Sequence, residues 1–221
     1  MSNFGYLFLG LGFILSLFFF WRRLKDDYLG SQIFNVSFLT IFIASVLIFS
    51  SNFLVQKKSS LLLYFNPQTL WFWPLTLSFF IGLFLASKYY GFKFYEAADS
   101  AISALFVFLV FTFLSFFIFS QNALFLLPVI FISFFLGLYL WMNKNYKRFT
   151  WYRSGRLGFA GLTSFGIFLV VRSIVALTLP FMLSLVSFPC AGCTFTGPAD
   201  TLIGAVVSFI VFLNLFNLSI K

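Results

Sequence analysis

Residues 157–183 read LGFAGLTSFGIFLVVRSIVALTLPFML, an apolar run broken by a single charge, Arg172. Such a run predicts a helix that crosses a bilayer, because hydrocarbon offers no water to the backbone and every N–H and C=O must be paired within the segment. The rest of the chain repeats the pattern. Of its 221 residues 62% are apolar and only 9% are charged, with a mean hydropathy of +1.04, which excludes an ordinary soluble domain.

Working outward from Leu157 to Leu183, apolar stretches separated by charge or turn residues predict further spans at Asn3 to Trp21, Gln32 to Val55, Leu70 to Ser87, Ala97 to Ser120, Leu124 to Met142 and Thr201 to Ser219. The segment Leu61 to Phe65, ahead of Asn66-Pro67, is too short to span and is expected at the interface or in a re-entrant turn. The first span is not a cleavable signal, since Arg22, Arg23 and Lys25 follow its apolar run instead of preceding it. No repeat, linker or soluble domain is visible. The expectation is an all-α fold: a polytopic membrane bundle of about seven transmembrane helices, with residues 1–221 forming a single integral membrane domain.

Charge sets the expected orientation, because Lys and Arg are retained on the cytoplasmic side of short loops. The loops after spans one, three and five, with the C-terminus, hold Arg22, Arg23, Lys25, Lys88, Lys93, Lys144, Lys147, Arg148, Arg153, Arg156 and Lys221; the other side holds Lys57 and Lys58. This places the N-terminus outside and the C-terminus inside. Trp21, Trp71, Trp73, Trp141 and Trp151 fall at span ends, as interfacial aromatics do. The formal net charge of +9 is accounted for by anionic lipid heads facing the basic loop Lys144 to Arg156, and calls for no nucleic acid. Most of the 39 phenylalanines are read as lipid-facing and core filler in place of leucine.

The groups able to do chemistry are few. The chain has no histidine, so the commonest ligand of zinc, copper and haem iron is missing, and neither a metal site nor a cofactor is expected. Arg172 lies near the middle of span six, where a charge costs roughly 2.5–3.5 kcal/mol on insertion scales, so it must face protein or a polar cavity. It is either a lipid-phosphate-binding arginine or a structural one paired to backbone and hydroxyls. Glu96 and Asp99 open span four, where carboxylates complement the helix dipole; a general acid or base role is the alternative. Asp26 and Asp27 beside Arg22, Arg23 and Lys25 read as a solvated loop, and Asp200 as an N-terminal cap. Gly155, Gly158 and Gly161 give the start of span six a smooth face for a neighbouring helix.

Residues 186–200, VSFPCAGCTFTGPAD, hold both cysteines, on the expected oxidising face. Cys190 and Cys193 form a C-x-x-C pair that reads as a structural disulfide or a redox pair. Zinc would need two ligands that the chain does not offer. Ala191-Gly192-Cys193 also imitates the end of a lipobox.

The seven-span arrangement, with FGYLFLGLGFILSLFFFWRRLK, LWFWPLTLSFFIGLFLASKYYGFKFYEAAD, LGLYLWMNKNYKRFTWYRSGRLGFAGLTSFGIFLVVRSIV and TFTGPADTLIGAVVSF, resembles the prolipoprotein diacylglyceryl transferase family, which moves a diacylglyceryl group from phosphatidylglycerol to a lipobox cysteine. The resemblance covers most of the chain and rests mainly on topology and apolar pattern. It implies a bacterial inner membrane and an anionic phospholipid partner such as phosphatidylglycerol. The family's chemical residues mostly do not carry over. Trp73-Pro74-Leu75 stands where the family has His-Gly-Gly, and Phe113 and Phe116 replace the arginine and asparagine of the span-four motif. Phe165-Gly166 matches the Tyr-Gly pair of span six, but Leu169 and Ser173 stand where an arginine and a glutamate follow. Arg172, nearly one turn on from Leu169, is the candidate replacement for the lost cation. What the resemblance implies is a relative without transferase activity that binds phospholipid or a lipoprotein-like segment near Arg172, or serves as a membrane subunit with partner proteins. The alternatives are a divergent active transferase using Arg172 with Asp99 or Glu96, and a membrane thiol-disulfide oxidoreductase using Cys190 and Cys193.

Overall fold

The computed structural model describes residues 2–57, 72–149, 152, 158–178 and 198–220. Among them are seven α-helices, two short 3-10 turns and no strand. The helices are α1 (Ser2–Leu24), α2 (Gly30–Lys57), α3 (Phe72–Tyr90), α4 (Phe94–Ser120), α5 (Leu126–Asn145), α6 (Phe159–Thr178) and α7 (Pro198–Ile220), with the turns at Ala123–Phe125 and Tyr146–Arg148. Five helices are long and apolar enough to cross a membrane, and α3 and α6 add shorter apolar stretches, Leu75–Tyr90 and Phe159–Ile174. The chain is an all-helical, multi-pass membrane bundle.

Helix α4 is the axis of the bundle, with α1, α3, α5 and α6 all against it. Every residue from Ala97 to Val107 is buried, so its first turns have no lipid-facing side. Small side chains make this possible: Ala97, Ala98, Ser100, Ala101, Ser103 and Ala104 leave room for neighbours all round. The serines satisfy themselves locally, Ser100 Oγ donating to the carbonyls of Glu96 and Ala97 and Ser103 Oγ to that of Ser100 at 2.7 Å. Farther along, Ser115 Oγ donates across helices to the Gly5 carbonyl at 2.8 Å.

Two apolar cores flank α4. One, from α4, α5, α6 and α7, is built on phenylalanines: Phe106, Phe135 and Phe168 meet edge-on or tilted with centroids 5.4–6.5 Å apart, and Phe131 and Phe165 extend the cluster. The other, from α1, α2, α3 and α4, is smaller and alanine-rich. Outside, the pattern inverts. Phe38, Phe42 and Phe49 on α2 and Phe209 and Phe216 on α7 are all more than half exposed, an apolar surface that water would not tolerate and lipid solvates.

Close helix approach is set at glycines. A Cβ added at Gly12 would sit 2.4 Å from Phe111 Cβ, one at Gly82 2.7 Å from the Thr40 carbonyl oxygen, and one at Gly161 2.7 Å from Asp99 Cα. The expected close contact at the start of α6 is therefore present at Gly161, while Gly158 takes φ +68° ahead of the helix, a conformation that disfavours any Cβ. Gly155, the segment Leu61 to Phe65 and Cys190 and Cys193 lie outside the described residues.

The end of α1 meets the starts of α4 and α6, α3 leads directly into α4, and Phe149 after α5 packs on Phe159, so Arg22, Arg23, Lys25, Lys88, Lys93, Lys144, Lys147 and Arg148 gather at one end of the bundle, the basic end. Two boundaries differ from the apolar pattern in a way that matters. Helix α1 runs past Trp21 to Leu24, and α4 starts at Phe94, three residues before Ala97. Hydropathy marks where hydrocarbon ends, whereas backbone hydrogen bonding continues into the polar boundary. Arg23 is thus a helical residue with a fixed direction.

Candidate functional site

At the basic end the extra turn of α1 aims Arg23 at α4. Its Nε donates to Asp99 Oδ2 at 3.1 Å, with the arginine side chain 11% exposed and the aspartate fully buried. The other carboxylate oxygen, Oδ1, accepts the backbone N–H of Gly161 at 2.5 Å. One carboxylate therefore ties α1, α4 and the first turn of α6 together. Only a glycine on α6 brings its N–H this near, since a side chain there would collide with the α4 backbone.

Glu96, one turn before, is held differently. Tyr28, in the connection between α1 and α2, donates its hydroxyl to Glu96 Oε2 at 2.8 Å and accepts the Lys93 backbone N–H at 3.1 Å, while its ring stacks on Phe92 at 3.8 Å. The Lys93 ammonium lies 3.4 Å from Glu96 Oε1. Tyr95 donates to Asn214 Oδ1 at 3.2 Å, bringing in the end of α7. Burial is the main cause that raises the Tyr28 phenol above its ordinary pKa, helped by Glu96 and opposed by the Lys93 N–H. Tyr152 is pushed up to about 12, by burial first and then by the nearby Asp99 charge. Both phenols keep their protons at physiological pH, and both candidate acid or base residues, Glu96 and Asp99, have their oxygens engaged by partners that fix helix ends.

Arg172 is elsewhere. It is 2% exposed, and its guanidinium carbon lies 5.6 Å from the centroid of the Trp73 ring, at the start of α3, within reach of a cation–π contact. Next to it Ser173 Oγ donates to the Thr201 carbonyl of α7 at 3.5 Å, and Gly204 leaves the space for that hydroxyl. Arg172 is eleven residues along α6 from Gly161, about 16 Å of helix rise, so the bundle does not bring it together with Glu96 or Asp99. Its charge is sheltered by protein, as the sequence requires.

A separate open space lies on the other flank. A cavity of about 250 Å³ is bounded by α1, α2, α3 and α4, with Leu17, Phe20, Thr40, Ala44, Leu83 and Leu105 in its wall. It exists because α1 seats on α4 and α2 on α3, while α1 and α2 scarcely touch. It is a cleft open between those two helices, almost wholly apolar, and Arg172 does not line it. One wall atom stands out: Thr40 Oγ1 is buried and has no hydrogen-bond partner, although a helical threonine ordinarily bonds back to the preceding turn.

Sequence reasoning missed both the Arg23–Asp99 tie and this cleft. The available signal for the cleft was the run of small and hydroxyl side chains Ser37, Thr40, Ala44 and Ser45 down one side of an otherwise bulky α2. Among the described residues no group of acidic, histidine or cysteine side chains is placed to hold a metal ion. Comparison with protein-family models, with curated proteins and with solved structures finds no match to this chain.

Proposed function

We propose that this chain is a membrane-embedded phospholipid-binding protein, a divergent relative of prolipoprotein diacylglyceryl transferase that does not carry out the transfer. The observation that carries the reading is the cleft between α1 and α2: a partly open apolar cavity of about 250 Å³ walled by α1, α2, α3 and α4 where α1 and α2 scarcely touch. Its volume falls just below the roughly 300–1,000 Å³ of pockets that enclose whole small molecules, which suits one acyl chain and not an entire lipid. The loss of catalysis is supported by chemistry. The residues that would supply a base, Glu96 and Asp99, are tied up in helix-end contacts, and the nearest replacement for the family's cations, Arg172, lies about 16 Å of helix rise away from them. In this reading the basic end faces the cytoplasm, the N-terminus lies outside, and the membrane is the bacterial inner membrane.

Mass spectrometry of the protein purified in mild detergent tests the reading. A phospholipid that survives purification, and that Ala44→Phe removes by filling the cleft, is the expected result. Incubation with phosphatidylglycerol and a lipobox peptide is expected to give no diacylglyceryl peptide; transfer that disappears in Arg172→Ala would overturn the non-catalytic part.

A further inference from the structure

The cleft has a continuation toward the basic end. Phe13 and Leu17 in its wall are followed, at the same four-residue spacing on α1, by Trp21 and then Lys25, a stripe that winds about 40° round the helix at each step and so leads from the cleft wall outward toward lipid. The helical hydrogen bonding reaches Lys25, whose N–H bonds to the Trp21 carbonyl at 2.9 Å. The Lys25 ammonium lies 5.4 Å from the centroid of the Trp21 ring, and the Trp21 indole nitrogen is 3.8 Å from where a Gly30 side chain would start on α2. Trp21 thus stands across the α1–α2 seam at the level where tryptophan meets lipid headgroups, with an exposed cation directly beyond it.

We infer that the cleft, Trp21 and Lys25 form one site for a glycerophospholipid of the leaflet at the basic end. One acyl chain fills the cleft, the glycerol region rests against Trp21, and the phosphate is held by the Lys25 ammonium. The inference rests on the lipid-binding reading and adds the leaflet, the part of the lipid that is recognised and the recognising group. Charge decides for Lys25 among the nearby cations. Arg23 is engaged by Asp99 and Lys93 by Glu96, and Arg22 stands about 140° round α1 from Leu17, whereas Lys25 is exposed on the stripe that leads out of the cleft. Asp26 and Asp27 follow it in the turn, so the local net charge is small. Recognition therefore rests on the single Lys25 ammonium acting as a point charge on the phosphate, not on a polybasic surface.

The test uses the full chain in nanodiscs doped with phosphatidylglycerol or with diacylglycerol carrying the same photoreactive acyl chain, and maps the labelled residues by peptide mass spectrometry. The expected result is labelling within residues 13–20 and 37–48, about five-fold stronger for the phosphatidylglycerol probe, the factor set by one interfacial cation. Lys25→Gln should bring the two probes to parity, while Lys147→Glu, at the same end but off the stripe, should leave the preference intact. Equal labelling by both probes, or a preference unmoved by Lys25→Gln, overturns the phosphate assignment and leaves chain binding standing. Cleft residues unlabelled by either probe overturn both proposals. Ala44→Phe must abolish cleft labelling by both probes; labelling that persists there contradicts the cleft as the acyl site.

Discussion

The Arg23 guanidinium reaches from the last turn of α1 to the fully buried carboxylate of Asp99 in the second turn of α4, 76 residues on, at 3.1 Å. Because Asp99 also accepts the Gly161 N–H, the pair fixes three helix ends at once. Removing one member leaves an uncompensated charge in a water-poor place. Arg23→Ala or Asp99→Ala is expected to lower stability by about 3–5 kcal/mol. Asp99→Asn should cost less than Asp99→Ala, since the amide oxygen still accepts from Gly161. Denaturation of the detergent-solubilised variants, run as a double-mutant cycle, measures the coupling; additive losses would show that the two side chains act independently.

Gly161→Ala is expected to destabilise by about 1–3 kcal/mol, because its new methyl would lie 2.7 Å from Asp99 Cα and the obstacle is backbone, which cannot swing aside. Gly137→Ala serves as the contrast. Nothing lies within 4 Å of its Cβ position, in the middle of α5, so the gain in helix propensity should stabilise by up to about 1 kcal/mol. Thermal unfolding followed by circular dichroism reports both signs.

The Tyr152 phenol, pushed up to about 12 by burial and the Asp99 charge, makes the fold sensitive to alkali. The folded protein holds this proton more tightly than the unfolded chain, whose tyrosine ionises near 10, so the contribution is present in full below pH 10 and is lost as pH rises toward 12. Absorbance at the tyrosinate band should show a late-titrating phenol that vanishes in Tyr152→Phe. In that variant the decline in stability between pH 10 and pH 12 should be shallower than in the parent protein.

Thr40 offers a stabilising change. Its Oγ1 is buried without a partner in an apolar wall, so Thr40→Val exchanges an unsatisfied hydroxyl for a methyl of similar size and is expected to raise stability by about 1–3 kcal/mol. It should also leave acyl-chain retention intact, since hydrocarbon needs no hydroxyl there. A fall in both stability and lipid retention would mean that the hydroxyl holds a polar group of the occupant.

Much of the fold was legible in the chain. Apolar runs located the helices to within a few residues because length and hydropathy are what a bilayer selects, and the single charge of span six demanded shelter, which Trp73 and the surrounding helices provide. The candidate sites were less legible, for identifiable reasons. Arg23 reads as one member of a charged loop until one sees that α1 continues through it and turns it inward. Asp99 reads as a helix-start carboxylate because its spacing from Lys93 is local, while its actual partners are far away in sequence. The cleft is an absence of side chains between two helices that are not pressed together, and no residue pattern announces which neighbours will stay apart.

The most direct measurement is an electron-density or cryo-electron microscopy map of the protein in nanodiscs containing phosphatidylglycerol. The account predicts an elongated rod of density entering between α1 and α2, ending against Leu105, with its polar end beside Trp21 and Lys25. A cleft closed by α1 and α2 meeting each other, with lipid density only on the outer faces such as that of Phe209 and Phe216, would contradict it.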